Sequence, residues 1–314
     1  MNQWEGKGYQ LEISLWVGRL GNHIIQLSNA LHVAQKTRSI LRVPPHDMFR
    51  SRVFDLRSSL DGECNETLKS PFFWPHECFN FPIRHDAVRR QLLQDYLAPE
   101  FDRASFLQRV RKAVSGPEVD RNTLLINIRS GTDIFRSDPP PQSDYMQPPL
   151  SFYKKIIQLH DYKRCVIVTE ADQKNPVIPA LLAWNPNISL HQHQDVIGDI
   201  RLVLSARHLV LAHSTFSWCL ALISRNLRVL HQPGTFPVQG IPEVEIHTYE
   251  SQHYIEPGTW VGSNAQMDLM ISHSTDLIVH KEEMPGDYLP VSCMGLTNDS
   301  EQLEKIAVGK TDRS

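Results

Sequence analysis

Arg129 and Asp133 lie four residues apart in the segment Asn127-Ile128-Arg129-Ser130-Gly131-Thr132-Asp133, directly behind the apolar run Thr123 to Ile128. A guanidinium at a strand end can bind a phosphate through two parallel hydrogen bonds, and Ser130 and Thr132 can donate to the remaining oxygens. Asp133 would then orient Arg129 or accept the proton of an acceptor hydroxyl. The competing reading is an ion pair that only fixes the loop.

Three more polar clusters follow apolar runs. Gly18-Arg19-Leu20-Gly21-Asn22-His23 stands between the run Leu11 to Val17 and a helical pattern. Its glycines allow tight turning, the new helix presents unpaired amides, and Arg19 adds a cation, so an anion is the natural occupant. Thr169-Glu170-Ala171-Asp172 offers carboxylates suited to ribose hydroxyls or base amines, or a helix cap at Asp172. His213-Ser214-Thr215-Phe216-Ser217 opens a helix with hydroxyls and amides, an anion seat in which Ser214 can also cap.

The elements that would carry these clusters are legible in the periodicity. Strand, turn and helix are predicted over Leu11 to Val17 and Gly21 to Lys36, a short strand over Ile40 to Val43, and an irregular insertion over Phe49 to Pro82. Helical patterns at Ala87 to Leu97 and Glu100 to Val114 end at Ser115-Gly116-Pro117, the expected boundary between an N-terminal unit, 1–116, and a C-terminal unit, 117–314.

The second half alternates more regularly. Strands are predicted at Thr123 to Ile128, Arg164 to Thr169, Asn187 to His191, His208 to Ala212 and Arg228 to His231. Helices at Leu150 to Leu159, Val177 to Trp184, Val196 to Ala206 and Phe216 to Ser224 separate them, and Glu243 to Thr248 and Ser300 to Ala307 add a last strand and helix. Strands divided by helices of this length imply a doubly wound parallel sheet, with ligands outside the strands' C-terminal ends. All four clusters fall at such ends.

Composition narrows the partners. The chain has 314 residues and a formal charge of -3, so no overall basic field points to nucleic acid. Five scattered cysteines without a CxxC pair argue for reduced thiols. The polar start and the lack of any membrane-length apolar run lead to the expectation of a soluble cytoplasmic protein. The run His191 to Asp195 is read as a packed or solvated surface rather than a metal site, and no metal is expected at the donor. Gly18-Arg19-Leu20-Gly21 lacks the glycine spacing of a dinucleotide fingerprint, which counts against an oxidoreductase.

Three segments, in this order, resemble one family. Gly18-Arg19-Leu20-Gly21-Asn22 with Gln26 is similar to the opening motif of the alpha-1,2-fucosyltransferases and their protein O-fucosyltransferase relatives. The segment Ile128 to Asp133 with Pro149 to Tyr153, and the stretch DIRLVLSARHLVLAHSTFSW from Asp199 to Trp218, resemble their later motifs. The resemblance implies a GT-B architecture, two Rossmann-like domains facing across a cleft, and inverting transfer from GDP-fucose to a glycan acceptor with no obligatory metal or other cofactor. It also implies that Arg129 neutralises the departing diphosphate, that Ser214, Thr215 and Ser217 hold phosphate or nucleoside, and that Arg19, Asn22 and His23 close the site. The sequence departs from the family pattern at His23, Asn127 and Ser130, and Gly131-Thr132 makes the segment one residue longer before Asp133. One guanidinium would therefore face the phosphates where the family has two. Another nucleotide sugar, or a non-catalytic nucleotide- or glycan-binding protein, stays open as an alternative.

Overall fold

The computed structural model describes residues 8–58, 66–79, 81, 83, 85–101, 122–136, 141–172, 174–191, 196–235, 237–241 and 243–282. The expected helix Ser300 to Ala307, most of the helix Glu100 to Val114 and the Ser115-Gly116-Pro117 boundary lie outside these residues.

Two sheets organise the chain. The smaller one has the order β3-β2-β1-β4, built from β1 (Gln10–Ile13), β2 (Ile40–Arg42), β3 (Val53–Asp55) and β4 (Thr67–Ser70). β1 pairs in parallel with both β2 and β4, and β3 runs antiparallel at the edge. The first strand stops at Ile13 rather than Val17, and residues 14–19 form the turn into α1 (Leu20–Thr37). Gln26 holds that turn, accepting from the Val17 amide at 2.7 Å and donating to the Leu15 carbonyl at 2.9 Å. The expected irregular insertion contains β3, β4 and a 3-10 turn at Pro75–Cys78. α2 (Asp86–Tyr96) follows.

The larger sheet has seven strands in the order β11-β10-β9-β8-β5-β6-β7. β5 (Thr123–Ile128), β6 (Arg164–Thr169) and β7 (Ile188–His191) run outward one way, and β8 (His208–Val210), β9 (Val229–Pro233) and β10 (Glu245–Ser251) the other, all parallel. β11 (Ile278–Glu282) closes one edge antiparallel to β10. Counting from β5, this is the doubly wound order 3-2-1-4-5-6, whose direction reverses between β5 and β8. All six residues of β5 are buried, as a central parallel strand covered on both faces requires.

Side-chain alternation sorts the covering helices. Leu124, Ile126 and Ile128 of β5 face α3 (Leu150–Leu159), α4 (Val177–Trp184) and α7 (Asn264–Ser272). Leu125, with Val166 and Val168 of β6, faces α5 (Val196–Ser205) and α6 (Thr215–Ile223). That second apolar cluster does not stop at the large sheet. It runs on through α1 and α2 to Leu11 and Ile13 of β1, so the two sheets share one continuous core. Arg90 on α2 strengthens the junction by donating to the Ala221 and Leu222 carbonyls at the C-terminus of α6, where a cation also suits the helix dipole. Two Rossmann-like sheets facing across a cleft form the GT-B type of arrangement that the sequence led us to expect.

Candidate active site

The C-terminal ends of β5 and β8 flank the point where strand order reverses, the crevice in which doubly wound sheets bind ligands. The loop after β5 carries Arg129, and the turn after β8 carries His213 and Ser214. Both line one cavity of about 1240 Å³, which Gly18, Arg19, Gly21 and Asn22 close from the small sheet.

Buried polar groups hold the Arg129 loop. Asn175, fully buried, donates its side-chain amide to the Arg129 carbonyl at 3.0 Å, and its backbone amide to Ser130 Oγ at 2.9 Å. The Ser130 amide donates to Glu170 Oε2. Ser130 is itself fully buried and takes no place in the cavity wall.

Two helix N-termini meet at the same place. A Cβ on Gly21 would lie 2.5 Å from the Phe216 amide nitrogen and 2.6 Å from Thr215 Oγ1, so only glycine lets α1 approach α6 this closely. Thr215 Oγ1 donates to Asn22 Oδ1 at 3.0 Å, and Ser214 Oγ caps α6 by accepting from the Phe216 amide at 3.2 Å. Gly18 has φ +76, a left-handed turn that aims Arg19 at the cavity mouth. Both helices direct the positive ends of their dipoles at one space.

Asp133 gathers the charges. Its Oδ2 lies 2.7 Å from Arg129 Nη2 and 3.5 Å from Arg19 Nη2. Arg129 also stacks on Tyr145, with the guanidinium carbon 4.6 Å from the ring centroid. Its side chain is 13% exposed and Arg19's 67%, so the pair opens onto the cavity instead of closing inside the protein. Arg19 thus brings a second guanidinium, from the other sheet, to the same carboxylate. Asp133 Oδ1 is buried without a hydrogen-bond partner, tucked against Gly131. Burial, then the Arg129 charge, lowers His213 to about 4, leaving a neutral imidazole at neutral pH. Burial raises Glu170, against the pull of the Ser130 amide and Arg129.

No protein-family profile and no curated protein matches this chain. Solved structures give distant likeness. POFUT1 in complex with GDP superposes with TM-scores of 0.38 and 0.36 in two crystal structures, at 10% identity, covering 69% and 73% of this chain and 95% and 98% of POFUT1. The E. coli heptosyltransferase WaaC with ADP-2-deoxy-2-fluoro heptose gives 0.41 at 10% identity, covering 83% of this chain and 96% of that one. Likeness this distant carries no functional argument, and the site rests on its own geometry.

Arg19, Gly21, Asn22, Arg129, Asp133, Glu170, His213, Ser214, Thr215 and Phe216 all line the cavity. Four expected residues do not. Ser130 is buried in the loop, and Ser217 Oγ donates to the Ala212 and Ser214 carbonyls just ahead of α6. His23 turns away, its ring bonded to His46 at 2.8 Å and to the Gly18 carbonyl at 2.9 Å. Asp172 is exposed beyond Glu170, and α4 is capped by Pro176 instead. Of the His191 to Asp195 run, all but His191 lies outside the described residues.

Sequence reasoning missed Arg89, Asp144 and Tyr145 in the cavity wall. Arg89 was detectable, since it shares the buried face of α2 with Leu92 and Leu93, where a charge needs a reason. It donates to Asn29 Oδ1 at 3.1 Å and lies over the Trp218 ring. Among the tryptophans, Trp260 is fully buried, whereas Trp74 is 40% exposed at the cavity edge.

Proposed function

We propose that this protein is a glycosyltransferase that moves a sugar, with inversion, from a nucleotide-sugar donor to a glycan hydroxyl. GDP-fucose is the donor we favour, on the strength of the motif resemblance. One observation carries the reading: Arg129 and Arg19 share the Asp133 carboxylate at the strand-order reversal, beside two converging helix N-termini. Negative charge builds on a departing diphosphate while the sugar gains oxocarbenium character, and preplaced donors lower that barrier. The two guanidinia and the first-turn amides of α1 and α6 supply such donors.

The surroundings divide the remaining roles. Asp133 has one oxygen held by two cations and the other buried, which suits it to orienting the arginines. Glu170, raised by burial and set in the cavity wall, suits the acceptor's proton better. Trp74 and Phe73 offer apolar rings for the acceptor sugar. The same reading keeps 1–116 as the acceptor side and 117–314 as the donor side.

Arg129→Ala should lose about 2.7 kcal/mol or more of transition-state stabilisation, roughly a hundredfold in turnover, with the fold intact. Near-normal turnover in that variant would refute the role. A thermal-shift panel of GDP, UDP, CDP and dTDP tests the donor, because a ligand of the folded state raises the melting temperature. Selective stabilisation by UDP would replace GDP-fucose in this proposal.

A further inference from the structure

Five of the chain's 15 histidines gather far from the cavity. His160 caps the C-terminus of α3, His208 starts β8, and His231, His247 and His280 stand on β9, β10 and β11. His231 and His247 are register partners, and Tyr249 is the partner of His280. None of the five lines the cavity.

We propose that His160, His247 and His280 form a binding site for one divalent transition-metal ion of the zinc class. One ring nitrogen from each lies within 4.8 Å of the other two, and His247 Nδ1 is 3.0 Å from His280 Nε2. Zinc–imidazole bonds of about 2.0–2.1 Å in a tetrahedral site put ligand nitrogens roughly 3.3 Å apart. The His247–His280 spacing already falls near that value. His160 and His280 are half-buried and His247 is buried, so the adjustment that an ion requires falls to the first two.

The surroundings resemble the outer shell of a metal site. Glu245 Oε1 lies 2.8 Å from His247 Nε2, and a carboxylate there fixes the proton on Nε2 and turns the Nδ1 lone pair inward. His231 stacks on His247 and Tyr249 on His280, at interplanar angles of 14° and 19°, which restrains both ligand rings. Three imidazoles select zinc and its neighbours over calcium or magnesium, and the fourth position belongs to solvent. The ion would tie the end of α3 to the outer strands β10 and β11. The simpler account is a chain of hydrogen-bonded imidazoles and phenols, in which His160 bonds Tyr249 Oη at 2.8 Å and no ion is held.

The full chain, stripped with a chelator and titrated with zinc chloride alone, separates the two. We expect one equivalent bound by calorimetry and a melting temperature that rises with zinc. His160→Gln and His280→Gln should weaken binding at least tenfold while matching the stripped wild type in circular dichroism and melting temperature. Glu245→Gln should weaken it about tenfold. His46→Gln, in a separate imidazole pair, should leave binding unchanged. If His280→Gln does not fold, His160→Gln at the helix end carries the test. Less than half an equivalent bound, or unchanged affinity in folded His160→Gln, overturns the site and leaves the hydrogen-bonded chain as the explanation.

Discussion

Gly21→Ala tests the helix junction through the sign of its effect. In an ordinary helix the change from glycine to alanine stabilises by up to about 1 kcal/mol. Here the new methyl would lie 2.5 Å from the Phe216 nitrogen and 2.7 Å from the Thr215 carbonyl carbon, both backbone atoms that no rotamer change can move. Contacts that short demand a separation of close to 1 Å, and overpacking of this kind costs about 1–3 kcal/mol. The net expectation is a loss of roughly 1–2 kcal/mol, read as a melting temperature lower by about 1.5–3 °C for a chain of 314 residues. Parting the helix ends also moves Arg19 and Asn22 away from Arg129, and misplacement by about 1 Å can cost a hundredfold in turnover. Differential scanning calorimetry measures the first effect, and a steady-state turnover assay the second. A variant as stable as the wild type, or more so, would refute the claim that α1 and α6 are held at glycine distance.

The charge arrangement gives further expectations. Asp133→Asn removes the carboxylate shared by two guanidinia, so GDP binding measured by calorimetry should hold or tighten while turnover falls; loss of nucleotide binding would contradict the orienting role. Trp74→Ala should raise KM for the glycan acceptor several-fold and leave nucleotide affinity unchanged, as steady-state kinetics with each substrate varied can show. Burial lowers His32, His46 and His213 to about 4, so near pH 5 the unfolded chain binds protons that the folded one does not. Stability is then complete above the ordinary histidine value near 6.5 and declines as pH falls towards 4, by about 1–2 kcal/mol at pH 5 for His32 alone, as urea unfolding at stepped pH can measure. Turnover should fall on the acid side as Glu170, whose pKa burial raises, takes up its proton, and Glu170→Gln should remove most of the turnover together with that limb.

The large sheet was readable because its signals are local. β5, α3, β6 and α4 coincide with the predicted spans, since buried parallel strands are continuous apolar runs and the helices between them carry clear period. β4 was hidden because Thr67–Ser70 is short and polar, and its partner β1 is distant in sequence. α7 is only weakly amphipathic, although Ser263 and Gln266 form a capping box that the Ser-x-x-Gln pattern announces. Ten of the fourteen residues that the strand-end rule picked out line the cavity, but the rule did not give their partners. That Arg19 reaches Asp133, or that Thr215 bonds Asn22 across a separation of 193 residues, is decided by how the sheets pack. Ser130, Ser217 and His23 were misplaced for the opposite reason. Each satisfies a nearby backbone or ring partner, and a hydroxyl's type does not say which way it turns.

The apolar cluster that runs from β1 through α1 and α6 to β6 has a bearing on how the cavity exchanges its contents. A hinged, clam-like opening would drag Ile24, Leu27 and Cys219 into water, at a cost of about 1.5–3 kcal/mol for each of the two larger side chains. Entry and exit therefore fall to side chains around the rim, Arg19 and Trp74 foremost. Heating should take the small sheet and the α5–α6 face of the large sheet apart in one calorimetric transition, because they share this cluster.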